Sequence, residues 1–217
     1  MIALAAFRVA AYVRSHRVYQ ALVPILAMLA IVYASRAPRG VEMAALTDSA
    51  VLIVPFLAWS ARGVLDTEPD EQRVISATSV GGALRENAAG LLAALVTGTA
   101  FAALSLVAGF FLGLSSTPPA SVTVAAVVLH VLSVVTGVTL GALTSRAILP
   151  SPAMSIMGLL LGFLFMLVVS MTPVYWLTVP LTAWMRAASA GDLPDRLPLL
   201  GGVALGWCLV GLAIYVA

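Results

Sequence analysis

The sequence predicts an all-α integral membrane protein with six transmembrane helices. Three observations predict it. The 217 residues are 62% hydrophobic and only 9% charged, with a mean hydropathy of +1.09. A soluble domain carries roughly 25% charged residues, so this chain cannot cover a water-facing surface. The apolar stretches are long and unbroken, whereas barrel strands would alternate over segments of about 10 residues. Polar and charged residues gather in short islands between those stretches.

Residues 1–17 mix apolar and basic side chains, with Arg8, Arg14 and Arg17 among Phe7, Val9, Tyr12 and Val13. This pattern reads as a helix lying in the inner headgroup layer, its arginines towards anionic lipid. The alternative is that it simply starts the first span. No small-residue cleavage site follows an early apolar run, so the N-terminus does not read as a cleaved signal peptide. A span needs about 20 apolar residues. Six candidates follow, at residues 18–34, 49–65, 87–114, 122–144, 153–171 and 199–217. The first is interrupted by Gln20 and Pro24, and the second contains Pro55. The third is long enough to tilt or to extend beyond the hydrocarbon. No internal repeat or low-complexity linker divides the chain, so 1–217 reads as one transmembrane domain.

Arginine placement sets the orientation. With the N-terminus inside, seven arginines (Arg8, Arg14, Arg17, Arg62, Arg73, Arg85, Arg146) lie on the inner side and four (Arg36, Arg39, Arg186, Arg196) on the outer. Both termini are then cytoplasmic. Every basic residue is arginine, and the chain has no lysine. A phosphate-binding loop of the GxxxxGK[ST] kind is therefore absent, as is a Schiff-base lysine. Cys208 is the single cysteine, so there is no disulfide framework. His16 and His130 are the only histidines, which argues against a cysteine/histidine zinc site. The heavy use of Arg and Ala points to a GC-rich bacterial source, hence a bacterial inner membrane.

Two polar islands stand out. Residues 66–86 hold five of the nine acids, namely Asp66, Glu68, Asp70, Glu71 and Glu86, together with Arg73 and Arg85. Pro69 suits an early helical position, and Asp66 or Thr67 can cap it. Acids in the first turn complement the helix dipole. Gly81 and Gly82 end the helix before the third span. The plainest reading is a solvated loop; the sharper one is a short amphipathic helix for a partner to push.

A basic interfacial helix, six spans and an acid-rich segment after the second span resemble the permease subunits of ABC-2-type transporters. Locally, Asp66-Thr67-Glu68 through Ala77-Thr78-Ser79-Val80 is similar to that family's acidic stretch ending in an Ala-Thr-Pro-Val-like turn, with Ser79 in the proline's place. The resemblance implies that 66–86 contains a coupling helix. Asp66, Glu68, Asp70, Glu71 and Arg73 would contact a separate cytosolic ATP-binding-cassette ATPase. ATP and Mg would sit on that partner, and this chain would bind no cofactor and catalyse no reaction itself. A second permease chain, identical or related, would complete the pathway. The cargo would be apolar or amphipathic: a lipid, a peptide or a drug-like molecule. A haem-exporter-like permease has a similar size, but no haem-handling residues favour it.

The other island, 172–198, is too apolar for a plain loop and is broken by Pro173 and Pro180. Two short helices dipping into the outer leaflet would fit it. In related exporters re-entrant helices form an external gate here, which makes Tyr175, Trp176, Trp184, Met185 and Arg186 gate candidates. The alternative is an aromatic belt that only anchors the protein.

Within the spans, His130 is the one titratable group well inside. It reads as a neutral histidine bonded to a neighbouring helix, with a proton relay as the alternative. Gly pairs at 137/141, 158/162 and 202/206 permit close helix packing, within the chain or across a dimer. Nothing in the sequence suggests a nucleic-acid surface. Two other functional classes remain open: a membrane enzyme, which would need a catalytic set around His130 or the Asp70-Glu71 pair, and a non-transporting sensor or assembly component.

Overall fold

In a computed structural model the chain is a helical bundle, described over residues 1–217 except for the side chain of Asp70. The elements are α1 (Ile2–Arg14), α2 (Val18–Val32), α3 (Glu42–Leu52), α4 (Val54–Leu65), α5 (Asp70–Val80), α6 (Ala83–Ala108) running into a π-helical turn (Gly109–Gly113), α7 (Ala120–Leu143), α8 (Pro152–Ser170), a 3-10 turn (Tyr175–Leu177), α9 (Leu181–Ala190) and α10 (Leu193–Val216). Among the described residues there is no β-strand, only an isolated parallel bridge between Ala37 and Leu114.

Five segments are long and apolar enough to cross a membrane: Glu42–Leu65, Ala83–Gly113, Ala120–Leu143, Pro152–Ser170 and Leu193–Val216. A sixth comes from α1 and α2 taken together, which are bent by 71° at the turn between them. The chain is therefore a multi-pass membrane protein with five spans, or six if the bent pair counts as one. At 15 residues, α2 alone covers only about 22 Å against a hydrocarbon core of about 30 Å. His16 makes the bend, holding the left-handed conformation at φ 60°, a region that histidine enters more readily than most side chains.

Several span boundaries differ from the sequence expectation. The second span begins at Glu42 rather than 49. Its opening residues are polar, which hides them from hydropathy. Glu42 is nevertheless held in place, accepting hydrogen bonds from the Gly40 N–H (2.7 Å) and the Ser116 hydroxyl (3.0 Å). The same span breaks between α3 and α4 because Pro55 has no N–H to continue the ladder, and its ring crowds the carbonyl four residues back. The sixth span begins at Leu193 rather than 199. Pro194 occupies its first turn, where no N–H is missed. An Asp192–Arg196 ion pair (2.7 Å) supports that turn.

The centre of the bundle is α7, packed against α4, α6 and α10. Its contact with α4 brings the two backbones together. A methyl on Gly137 would lie 2.5 Å from the Leu57 Cβ, and one on Gly141 would lie 2.5 Å from the Ala58 carbonyl oxygen. Methyls on Gly158 and Gly162 would instead meet the side-chain ends of Leu149 and Leu140, each at 2.9 Å. Gly202 and Gly206 on α10 meet nothing within 4 Å. Only 17% of the α8 window is buried, leaving Met157, Leu161, Phe165 and Val168 for lipid.

The bundle has two distinct ends. At one, which we call the charged end, lie α1, α5, the α7–α8 turn and the last turn of α10, where Tyr215 packs with Leu65 and Ala142. At the other lie the α2–α3 and α6–α7 loops, joined through Ala37 and Ser115, and the segment carrying α9. The crossing from Arg17 to the far loops is made by the 15 residues of α2, whose far end puts Tyr33 against Gly109 and Gly113.

Candidate functional site: the charged end

Residues 66–86 contain a short helix, α5, between two spans, as the sequence anticipated, but most of the island's acids are engaged within the chain. Pro69 precedes the first turn of α5. The helix ends at Gly81, with φ 89°, where the Gly82 N–H returns to the Ala77 carbonyl (2.7 Å) and the Gly81 N–H to Thr78 (3.4 Å). This pairing satisfies two end carbonyls and needs a left-handed residue, which glycine supplies without steric cost.

Arg8 organises the site. The spacing of Ala5, Arg8 and Tyr12 puts all three on one face of α1, and that face is buried. Arg8 is only 1% exposed. It therefore does not face lipid as its place in a basic interfacial helix suggested; the packing of α1 on α6 turns it inward. Its Nη2 donates to Glu68 Oε2 at 3.0 Å and also to Glu86 Oε1. Its Nη1 donates to the Glu86 carbonyl at 3.3 Å. Gly90 makes room, since a methyl there would lie 2.6 Å from Arg8 Nη1. Arg73 of α5 closes the cluster from the other side, with its Nε 3.3 Å from Glu86 Oε1 and its Nη2 3.4 Å from Asn87 Oδ1. One buried guanidinium thus ties α1, the turn leading into α5 and the start of α6 together. A buried charge is tolerable only when paired and hydrogen-bonded in this way.

Asp66 belongs to a second cluster beside the first. Its Oδ1 accepts from the Arg146 N–H at 3.0 Å, and Arg62 Nε lies 3.6 Å from its Oδ2. Burial pushes the Asp66 carboxyl above its ordinary range, outweighing the Arg146 N–H and the nearby Arg146, Arg62 and Arg73 charges. The Arg146 Nη2 reaches the Glu68 carbonyl at 3.0 Å.

The five candidate contact residues are thereby divided. Asp66, Glu68 and Arg73 point into the protein. Glu71 is exposed, and beside it lie exposed Gln72, Val74 and Ile75. Val74 and Ile75 are 66% and 67% exposed, so the outward face of α5 is apolar with an acid at its edge. The side chain of Asp70 lies outside the described residues. Sequence reasoning missed Arg8 and Glu86 as partners. Nothing in local spacing could pair residues 78 positions apart.

At the opposite end, one of the two expected short helices is α9 and the other is a single 3-10 turn. The gate candidates take different environments. Trp184 is fully buried with Val179, Leu181 and Leu193, so it is a core residue rather than part of an interfacial belt. Packing of α9 on α3 places it there. Met185 is half-buried against the same core. Trp176 is 56% exposed, and its carbonyl accepts from Trp207 Nε1 at 2.8 Å. Tyr175 and Arg186 border a cavity of about 570 Å³, and Arg186 Nη2 donates to the Ser170 carbonyl at 2.9 Å.

His130 Nδ1 lies 2.9 Å from the Ala126 carbonyl, so that nitrogen carries the proton. Its Nε2 faces the Ser105 hydroxyl of α6 at 3.3 Å. This is the interhelical bond expected of a neutral histidine, and no carboxylate joins it among the described residues.

No protein-family model matches the chain, and neither a curated protein nor a solved structure matches it. The reading of its function therefore rests on the residues and geometry above.

Proposed function

We propose that this chain is the membrane-spanning permease subunit of an ATP-driven exporter. In this reading α5 is the coupling helix, received by a separate cytosolic ATP-binding-cassette ATPase that carries ATP and Mg. The observation that carries the proposal is the division of α5 into two faces. One face is fastened through Arg73, Glu86 and Arg8 to α6 and α1. The other offers Glu71, Val74 and Ile75 to water. A helix held this way passes a push on its outer face directly to two other elements. An exposed Val–Ile pair in water is the kind of patch that marks a protein contact.

The remaining parts of the proposal follow from that assignment. The charged end is cytoplasmic, with both termini on that side of a bacterial inner membrane. Two permease chains enclose a pathway, and ATP-driven closure of the ATPases biases it between two states. The cargo is apolar or amphipathic. Tyr175, Trp176, Met185 and Arg186 act around the outer exit, while Trp184 braces α9 beneath them. The chain itself catalyses no reaction.

The test uses the exposed residues, because substituting Glu68 or Arg73 would also break the internal ion pairs. Tagged protein is purified from its native membrane in mild detergent, and the eluate is assayed for ATPase activity. A soluble ATPase should co-purify, and the combined Glu71→Lys, Val74→Asp, Ile75→Asp variant should lose it while still inserting. Purification of the chain with no ATPase, or full retention of the ATPase by the triple variant, would overturn the assignment. The first of those results would favour a sensor or assembly role.

A further inference from the structure

The cavity of about 570 Å³ beside α9 is walled by the end of α8, by α9 and by the start of α10. Its floor is apolar, with Ala187 and Leu200 buried there. Its wall carries two guanidinium groups, Arg186 and Arg196, against one carboxylate, Asp192. Asp195, in the same turn as Asp192, does not border it. The helix α5 packs on α6 at the other end of the bundle and takes no part in this wall.

The carboxylate is taken by the nearer arginine, Asp192 Oδ2 lying 2.7 Å from Arg196 Nε. Arg186 has no carboxylate within 4.0 Å among the described residues. Its Nη2 donates to the Ser170 carbonyl at 2.9 Å, which uses one of the five N–H donors of a guanidinium. The depth of this arginine is set by α8. The 19 residues of that helix rise about 28 Å, close to the roughly 30 Å of bilayer hydrocarbon. Ser170 is its last residue, and the Thr182 N–H of α9 donates to the Ser170 hydroxyl at 2.7 Å. Arg186 is thereby held where hydrocarbon gives way to headgroups. At the mouth of the cavity Met171 and Leu199 are 67% and 63% exposed, and Val168 and Phe165 continue an exposed apolar row back along α8.

We propose that this cavity holds the headgroup of an acidic membrane phospholipid, with Arg186 on the phosphate and the acyl chains laid along the exposed row of α8. A guanidinium fork matches phosphate oxygens with paired, charge-assisted hydrogen bonds. The volume falls within the range of ligand pockets, about 300 to 1,000 Å³. Tyr175 borders the same space and supplies an amphipathic ring suited to headgroup depth. Charge decides the lipid class. A zwitterionic headgroup brings its own cation to a wall that already has two guanidinium groups against one acid, whereas an acidic headgroup brings only the missing negative charge. The site rests on the cavity alone and stands whether or not the chain is a permease.

The test is photo-crosslinking of the full chain in detergent with phosphatidylglycerol or phosphatidylcholine, each carrying a diazirine in one acyl chain, the labelled residues being located by mass spectrometry. Phosphatidylglycerol should label the end of α8 around Val168 and Met171, and Leu199 of α10, in preference to phosphatidylcholine. Arg186→Gln should lower that labelling about fivefold, the factor expected for one basic residue at a membrane surface. Asp192→Asn should raise it, because the wall then holds no opposing acid. A variant that fails to fold cannot gain selective labelling, so Asp192→Asn decides the matter even where Arg186→Gln lowers the thermal midpoint. Equal labelling of these positions by the two lipids would overturn the proposal, as would labelling left unchanged or lowered by Asp192→Asn. An Arg186→Gln variant labelled like the wild type would also overturn it. Loss of the label in millimolar inorganic phosphate would show a site for the bare anion instead of the lipid; resistance to phosphate is the expected result.

Discussion

Arg8 is buried with two carboxylates and a carbonyl around it, so its removal leaves Glu68 and Glu86 buried with too little positive charge. Truncating one partner of a buried ion pair typically costs about 3–5 kcal/mol. Arg8→Met should lower stability on that scale, read as a fall in the thermal midpoint in detergent. Arg8→Lys should recover only part of the loss, because a single ammonium lacks the fork that serves both acids and the Glu86 carbonyl. Asp66 makes a prediction of opposite sense. Its carboxyl is raised above the ordinary range by burial, so the folded state binds that proton more tightly than the unfolded chain does. The stability it contributes is full below the ordinary carboxylate range and is lost as pH rises through the raised value. Asp66→Asn should flatten the thermal midpoint across that window, measured as a pH series on both proteins. Neither residue's role was legible in the sequence. The acid-rich island was visible, but which acids turn inward depends on Arg8 and Arg146, which lie 60 and 78 positions from Glu68. Glu71, Val74 and Ile75 differ from their neighbours only by facing away from that contact.

Among the elements, the α4–α7 seam and the free edge of α10 pose a direct contrast. Gly141→Ala would force a methyl against the Ala58 carbonyl, and backbone cannot rotate out of the way. Overpacking of this kind costs about 1–3 kcal/mol, so the variant should melt well below wild type. Gly202→Ala meets open space and should change stability by no more than about 0.5 kcal/mol, as at an ordinary surface site. Equal midpoints for the two variants would contradict the seam. The glycine spacing was readable in the sequence, yet its partner was not, since 137/141 and 202/206 look alike until α4 lies against one and nothing against the other. Hydropathy located the long helices well because their apolar runs are nearly unbroken. It missed the first turns of the second and sixth spans, where Glu42, Asp48, Asp195 and Arg196 are polar but helical. Trp184 read as a gate candidate or as part of an anchoring belt, since aromatic residues between prolines read as interfacial until α3 covers one of them.

For the whole molecule, the two ends of the bundle make a topological prediction. α1 and the last turn of α10 lie at the same end as α5. Single cysteines at Glu71 and at the C-terminal Ala217, in a Cys208→Ala background, should therefore react with a membrane-impermeant thiol reagent from one side of sealed vesicles. A cysteine at Thr117, in the loop between the π-helical turn and α7, should react from the other. Reaction of all three from the same side would contradict the bundle. Both ends and their separation follow from where the apolar runs start and stop, so this much was open to sequence reading. The ion pairs that close the charged end were not.

Those ion pairs also set an order of events during synthesis. Arg8 leaves the ribosome before its partners, since Glu68 and Glu86 follow 60 and 78 residues later. Through that interval the guanidinium has no permanent protein partner and must stay hydrated or against lipid headgroups. Only when α6 begins does the N-terminal helix acquire its resting place. The same side chain that is deeply buried in the finished protein is thus a surface charge while α2 to α4 insert, positioned to hold α1 on its own side of the membrane until α6 arrives.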